Sequence, residues 1–202
     1  MGMKKFALSI KNPVSYLVCS GAKWVENRSW KTDYRGRVYI HSSGNEDMSF
    51  TSFEPFARGL SAFVDGVEAK YGRFPAEKDV KKIVKEFGVE RWNDFILYED
   101  AIEFLGSYYT GHYGEGWTDA VNSMDDKALR NFCKERGLAC KSFAIIGHVD
   151  LVDIAEGSES LWAEEGQYHW ILDNAVLYDK PVLNVKGKLR LFDVSHINMP
   201  DD

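Results

Sequence analysis

Strand-forming segments lie at both ends of this chain, and a long segment with helical periodicity separates them. Runs rich in β-branched and aromatic residues predict strands at residues 6–10, 37–41, 143–154, 168–172 and 185–194, and a further strand is expected within residues 24–30. Strands from both ends bury their apolar faces by joining one sheet. We therefore expect an α+β fold built on a small mixed β-barrel or a strongly bent sheet, completed by both termini.

The segment between these strands, about residues 45–140, predicts a helical insertion. Val80, Ile83, Val84 and Phe87 recur at helical spacing, and Gly88 ends the pattern. Further helices are predicted around residues 60–67 and 123–133, with a glycine-rich and aromatic loop at residues 106–117. We expect one domain over residues 1–202, with the barrel formed by about 4–44 and 141–195.

A short first helix is predicted directly after the first strand. Asn12 suits the cap of that helix, Pro13 suits its first turn, and Gly21 suits its end. Lys23 then follows just past the helix.

Positive charge is concentrated near the N-terminus of a chain whose net charge is −6. Residues 1–41 carry eight Lys/Arg and two Asp/Glu, a balance of +6, and the remainder carries −12. This asymmetry indicates an anionic partner that contacts only the N-terminal part of the protein. The alternative is that these cations pair with the acidic remainder, and composition alone does not separate the two.

Several classes of protein are not expected. No apolar run reaches the length of a membrane span, and the N-terminus has no hydrophobic segment typical of a signal peptide. The three cysteines, Cys19, Cys133 and Cys140, form no CxxC pair. We expect reduced thiols, a cytoplasmic location and no membrane partner.

Residues 6–43 resemble the N-terminal half of an ASCH domain, in the branch named after the activating signal cointegrator. The resemblance rests on Leu8-Ser9-Ile10, Pro13, the G-x-K-x-x-E-x-R motif at residues 21–28, and an R-G-x-x-x-I-H strand at residues 35–41. The C-terminal half also resembles the ASCH pattern, at residues 144–154, Trp162 and residues 168–194. Roughly half of the chain is covered, and residues 45–140 are not. The resemblance implies a PUA-like β-barrel with a cleft between the first helix and the sheet, which binds RNA or a nucleotide-like ligand.

Lys23, Glu26 and Arg28 are the strongest candidates for that cleft. Arginine offers a planar fork to phosphate or to a base edge, and glutamate offers an acceptor or a general base. The structural alternatives are a solvated lysine near the helix end and an ion pair within the sheet. Some relatives are enzymes, an acetylcytidine amidohydrolase and a ribonuclease. If this chain is also an enzyme, we expect Lys23 and Glu26 to transfer protons. The amidohydrolase is expected to carry a threonine nucleophile where Glu26 stands here.

Further candidates are ligand contacts that each have a structural alternative. Trp30 is either a stacking platform or core, and Arg35 and Arg37 either follow a phosphate backbone or keep a hairpin edge solvated. The resemblance places His41 and His169 in or near the cleft, with Ser42 beside His41. Trp162 is expected to close the cleft from the C-terminal half.

The sequence predicts neither a metal site nor a cofactor. His41, His148 and His169 lack a paired-ligand spacing. The favoured function is binding of RNA or of a nucleotide-like small ligand. The alternatives are a hydrolase in the same cleft, acting on a modified nucleoside or on RNA, and a module that contacts a protein partner through the helical insertion.

Overall fold

A computed structural model describes residues 4–12, 14–46, 54–72, 79–97 and 143–200. In these ranges the chain forms six strands and four helices. They are, in chain order, β1 (Phe6–Asn12), α1 (Val14–Ser20), β2 (Val25–Arg28), β3 (Gly36–Glu46), α2 (Glu54–Tyr71), α3 (Val80–Phe87), α4 (Val89–Ile96), β4 (Ala144–Ala155), β5 (Tyr168–Val182) and β6 (Leu191–Asp193).

The six strands form one curled, half-barrel sheet in the order β2-β5-β4-β3-β1-β6. β1 and β3 run parallel, and the other neighbours run antiparallel. The predicted α+β class and the joining of strands from both ends are confirmed. β3 continues to Glu46, and β4 begins at Ala144, which pairs with Ser42, so the segment between these strands starts and ends near the same end of the β3–β4 pair. The division into one domain with an insertion stays a prediction.

Helix α1 lies against one face of the sheet. Its Leu17, Val18 and Cys19 are buried together with side chains of β1, β3, β4 and β5. Close packing depends on Gly147 in β4, where a Cβ would lie 2.0 Å from the carbonyl oxygen of Val176 and 2.9 Å from Sγ of Cys19. The opposite face of the sheet buries a second apolar cluster that includes Tyr39, Ile145 and Phe192.

The sequence predicted most elements but missed some boundaries. Helix α3 has the predicted bounds, and α2 covers the predicted pattern at residues 60–67. Strand β5 continues well past residue 172, and α4 was not predicted. The predicted helix at residues 123–133, the loop at residues 106–117 and Pro13 lie outside the described residues.

The prediction of a continuous strand over residues 185–194 was wrong, because only β6 is a strand there. Asn184 and Arg190 adopt φ values of 62° and 60°, a left-handed conformation that interrupts a strand. The backbone therefore turns at both positions, and residues 185–190 form a connecting segment.

No helix in the described ranges is both long enough and apolar enough to cross a bilayer.

Candidate ligand-binding cleft

An open cleft of about 520 Å³ is lined by residues of both β1 and β2, two strands that are far apart in the order of the sheet. Its described lining combines charged, polar and apolar side chains: Ser9, Ile10, Lys11, Val14, Lys23, Glu26, Asn27, Arg28, Ser43, Leu161, Trp162, Ala163, Glu164 and Leu189. Sites for small molecules in proteins have volumes of about 300–1,000 Å³. The cleft therefore has room for a ligand of that kind.

The backbone after α1 brings Lys23 into the cleft. Gly21 adopts a φ of 83°, which ends the helix, and the amide of Lys23 donates to the carbonyl oxygen of Leu17 at 3.1 Å. The Lys23 side chain then turns inward and is only 6% exposed. Its Nζ donates to the carbonyl oxygen of Val25, at the free edge of β2.

Lys23, Glu26 and Arg28 form one charged cluster at the base of the cleft. Nζ of Lys23 lies 2.8 Å from Oε2 of Glu26, and Nη2 of Arg28 lies 2.9 Å from Oε1 of the same carboxylate. The Glu26 side chain is 9% exposed. Both carboxylate oxygens thus accept a charge-assisted hydrogen bond, which is the condition for keeping a buried charge.

The charged cluster keeps Glu26 ionised. Burial of the carboxyl raises its pKa, but the charges of Lys23 and Arg28 and the hydrogen bonds that they donate more than offset burial. The pKa of Glu26 is therefore below its ordinary value.

Arg28 also connects β2, at one edge of the sheet, to β1 near the other edge. Its Nη2 donates to the carbonyl oxygen of Ser9 on β1 at 3.1 Å. The Arg28 side chain is 21% exposed, and its buried Nε has no hydrogen-bond acceptor among the residues that the structure describes. Arg28 is consequently the member of the charged cluster that is most accessible from the cleft.

Residues 161–164 form the second side of the cleft, which we call the loop wall. Asn27 of β2 holds this wall with both ends of its amide: Nδ2 donates to the carbonyl oxygen of Trp162 at 2.8 Å, and Oδ1 accepts from the amide of Glu164 at 3.0 Å. Trp162 is 5% exposed, and its ring centroid lies 5.8 Å from Nζ of Lys23. Trp162 closes the base of the cleft, and aliphatic side chains of Val14 and Leu161 line its sides.

Three other predicted contacts lie away from the cleft. Arg35 donates to the carbonyl oxygens of Thr32 and Tyr34, and its guanidinium lies 3.4 Å from the carboxylate of Asp153. Arg37 is exposed near the start of β3. The partly buried Trp30 ring packs edge-on against Trp170 of the apolar core, with 4.7 Å between centroids.

His41 is buried beside the cleft rather than lining it. Its Nε2 lies 2.7 Å from the carbonyl oxygen of Val185, which can only accept, so Nε2 carries the proton. Nδ1 of the neutral ring then accepts from the Ser9 hydroxyl at 3.0 Å. Burial lowers the pKa of His41, although its hydrogen bond to Val185 acts in the opposite direction. His41 therefore anchors the segment after β5 as a neutral side chain.

Ser42 and His169 are also buried. The Ser42 hydroxyl donates to Oδ1 of Asn12, and the neighbouring Ser43 is the serine that lines the cleft. Nε2 of His169 donates to the carbonyl oxygen of Glu164 at 3.0 Å, so His169 supports the loop wall from behind. Nδ1 of His169 has no partner in the described part of the chain.

Sequence reasoning missed Lys11, Asn27 and Leu189 as cleft residues. Asn27 lies inside the G-x-K-x-x-E-x-R motif at a variable position, and Lys11 follows the first strand. Leu189 is 95% exposed at the rim, and nothing in its local sequence marks it.

In the described ranges, no group of three or more His, Cys, Asp or Glu side chains is arranged to hold a metal ion.

A scan of the sequence against models of protein families gave no match, and a search of curated proteins gave no significant match. The ASCH resemblance therefore rests on the motif residues alone.

Proposed function

We propose that the cleft binds a nucleotide-like small ligand, with a planar ring and a single anionic group. The observation that carries the proposal is the charged cluster of Lys23, Glu26 and Arg28 at the base of a cleft with aliphatic sides. A buried network of this kind costs desolvation, and an anion that reaches Arg28 gains a preformed and partly desolvated guanidinium. We also propose, as part of the same hypothesis, that the chain is an ASCH domain with a PUA-like β-barrel.

The charge of the cleft favours a ligand with little negative charge. Lys11, Lys23 and Arg28 contribute +3, and Glu26 and Glu164 contribute −2, so the lining carries +1. A nucleoside monophosphate or a nucleoside with one acidic group fits this balance better than a triphosphate does.

The position of the other cations favours a single nucleotide over an RNA strand. Arg37 lies near the start of β3, and Ser43, further along the same strand, lines the cleft. With a rise of about 3.3 Å per residue, the two residues are roughly 20 Å apart. Arg35 is engaged with Asp153 near the start of β3. These cations do not extend the cleft into the continuous basic groove that follows a nucleic-acid backbone.

The same geometry favours binding over proton transfer by Glu26. A carboxylate with a lowered pKa is a weak base near neutral pH. The hydrolase alternatives and the alternative of a protein partner at the helical insertion stay predictions.

The proposal is tested by titration calorimetry with ribonucleoside 5′-monophosphates, the matching nucleosides and short single-stranded RNA. We expect Arg28→Gln to weaken monophosphate binding by about 10- to 150-fold, the factor that corresponds to about 1.5–3 kcal/mol for a charge-assisted hydrogen bond. Nucleoside binding is expected to change little.

The matched control is Arg37→Gln, which removes the same charge outside the cleft and is expected to leave binding unchanged. Absence of any nucleotide binding at millimolar concentration contradicts the proposal. RNA binding that depends on Arg37 and not on Arg28 contradicts the assigned site.

A further inference from the structure

Helix α4 directs two carboxylates, one helical turn apart, at the segment that leads into the loop wall. Glu90 and Asp94 stand at positions i and i+4, which places them on the same side of the helix. Both accept hydrogen bonds from residues 158–161. A helix far away in sequence therefore contacts the wall of the cleft directly.

Asp94 is completely buried and accepts three hydrogen bonds. Its Oδ2 accepts from the amide of Leu161 at 2.6 Å. Its Oδ1 accepts from the hydroxyl of Ser160 at 3.0 Å and from Nε1 of Trp24 at 2.8 Å. Trp24 is the neighbour of Lys23, so one carboxylate joins the loop wall to the segment that carries the charged cluster.

Glu90 fixes the turn just before the wall. Its Oε2 accepts from the hydroxyl of Ser158 at 2.9 Å, from the amide of Ser160 at 3.1 Å and from the amide of Glu159. The hydroxyl of Ser160 in turn accepts from the amide of Trp162 at 3.2 Å. These contacts satisfy successive amides of a loop that pairs with no strand in the described ranges, so they determine its path.

We propose that helix α4 positions the loop wall of the cleft, and that Asp94 is the positioning residue. The wall is held from two sides: Asn27 binds residues 162 and 164 from β2, and Asp94 binds residues 160 and 161 from α4. Without the Asp94 carboxylate, Leu161 loses its contact with α4, and Glu90 holds only the turn at residues 158–160. The inference relies on the proposed function for its ligand, but the position of the wall is measurable without a ligand.

The first test is amide hydrogen exchange of wild type and Asp94→Asn, with no ligand added. Asparagine keeps one oxygen for Trp24 or Ser160, but its amide nitrogen is a donor and cannot accept from the Leu161 amide. We expect faster exchange at residues 160–163 and unchanged exchange in β4. Unchanged exchange at residues 160–163 overturns the inference, whether or not any nucleotide binds.

The second test is calorimetry with a nucleoside and its 5′-monophosphate. The proposed function places the ring of the ligand, and not its phosphate, against the wall, so Asp94→Asn is expected to weaken both ligands equally, by about five- to tenfold, the factor for one lost hydrogen bond. Arg28→Gln is expected to weaken only the monophosphate. A fall in binding stoichiometry with an unchanged Kd indicates a loss of folded protein alone, and it overturns the positioning role.

Two further variants keep the tests decisive. Ser160→Ala removes the hydroxyl that joins Asp94 to the Trp162 amide and keeps Asp94 in place. It is expected to reproduce the exchange effect at Trp162 even if Asp94→Asn fails to fold. Glu86→Gln removes a carboxylate that pairs with Lys70 inside the helical region, away from the wall. It is expected to change neither exchange at residues 160–163 nor Kd, and an equal effect of this control overturns the inference.

If wild type binds no nucleotide while Asp94→Asn accelerates exchange at the wall, the proposed function fails and the positioning role stands. If nucleotides bind and Asp94→Asn leaves exchange at residues 160–163 unchanged, the proposed function stands and the positioning role fails.

Discussion

Replacing Glu26 by glutamine removes one negative charge from between two cations at the base of the cleft. Glutamine keeps the size of the side chain and one carbonyl oxygen. That oxygen can accept from Lys23 or from Arg28, whereas the amide nitrogen is a donor and faces the other cation. The variant therefore leaves the buried Lys23, which is 6% exposed, beside a second positive charge with no neutralising partner.

The expected cost follows from how buried each partner is. Breaking a buried ion pair by removing one partner costs about 3–5 kcal/mol. Arg28 is 21% exposed and can turn towards water, which reduces the cost on its side. We expect Glu26→Gln to lower the free energy of unfolding by about 3 kcal/mol, the lower end of that range.

The assay is equilibrium unfolding in urea, followed by tryptophan fluorescence, with the slope of the transition checked for constancy. Glu164→Gln is the matched control, because it removes a carboxylate at the exposed rim of the same cleft and is expected to leave the midpoint unchanged. A loss below about 1 kcal/mol for Glu26→Gln, the size of a surface ion pair, refutes the view that the cluster is buried and mutually dependent.

Two further predictions concern the segment after β5. Gly187→Ala places a Cβ 2.5 Å from Cε1 of His41 and 2.7 Å from Oγ of Ser9, so we expect a loss of about 1–3 kcal/mol, measured by thermal unfolding against Gly157→Ala, whose site is open. Because the pKa of His41 is lowered in the folded state, the unfolded chain binds the proton more readily, and the stability due to neutral His41 is present above its ordinary pKa of 6.5 and lost as the pH falls below it. Unfolding of wild type and His41→Gln at pH 7.5 and pH 5 is expected to show a steeper loss in wild type, and parallel losses contradict the prediction.

Local sequence patterns predicted elements whose signals are short-range. The periodicity of residues 80–87 followed by a glycine gave α3 with its observed bounds, and Gly21 gave the end of α1. The strands at both chain ends joined one sheet as expected. The break at Arg190 was not predicted, because arginine has no sequence signature for a left-handed φ, whereas asparagine, which stands at position 184, is enriched in that conformation.

The candidate site was predictable only in part, for a similar reason. Lys23, Glu26 and Arg28 lie within one short motif, so their convergence follows from the local turn and strand. The contact between Asp94 and Trp24 joins residues that are far apart in the chain, and periodicity does not report such contacts. Arg35 and Arg37 are close to the motif in sequence. They lie at the start of β3, however, and not near Ser43, where β3 lines the cleft.

Nucleotide binding in the cleft is tested most directly by a crystal structure of the protein grown with millimolar cytidine 5′-monophosphate. We predict the phosphate within hydrogen-bond distance of Arg28 and the base between Val14 and the loop wall at residues 161–164. Nucleotide bound beside Arg35 and Arg37, or an empty cleft at a concentration that saturates binding in solution, contradicts it.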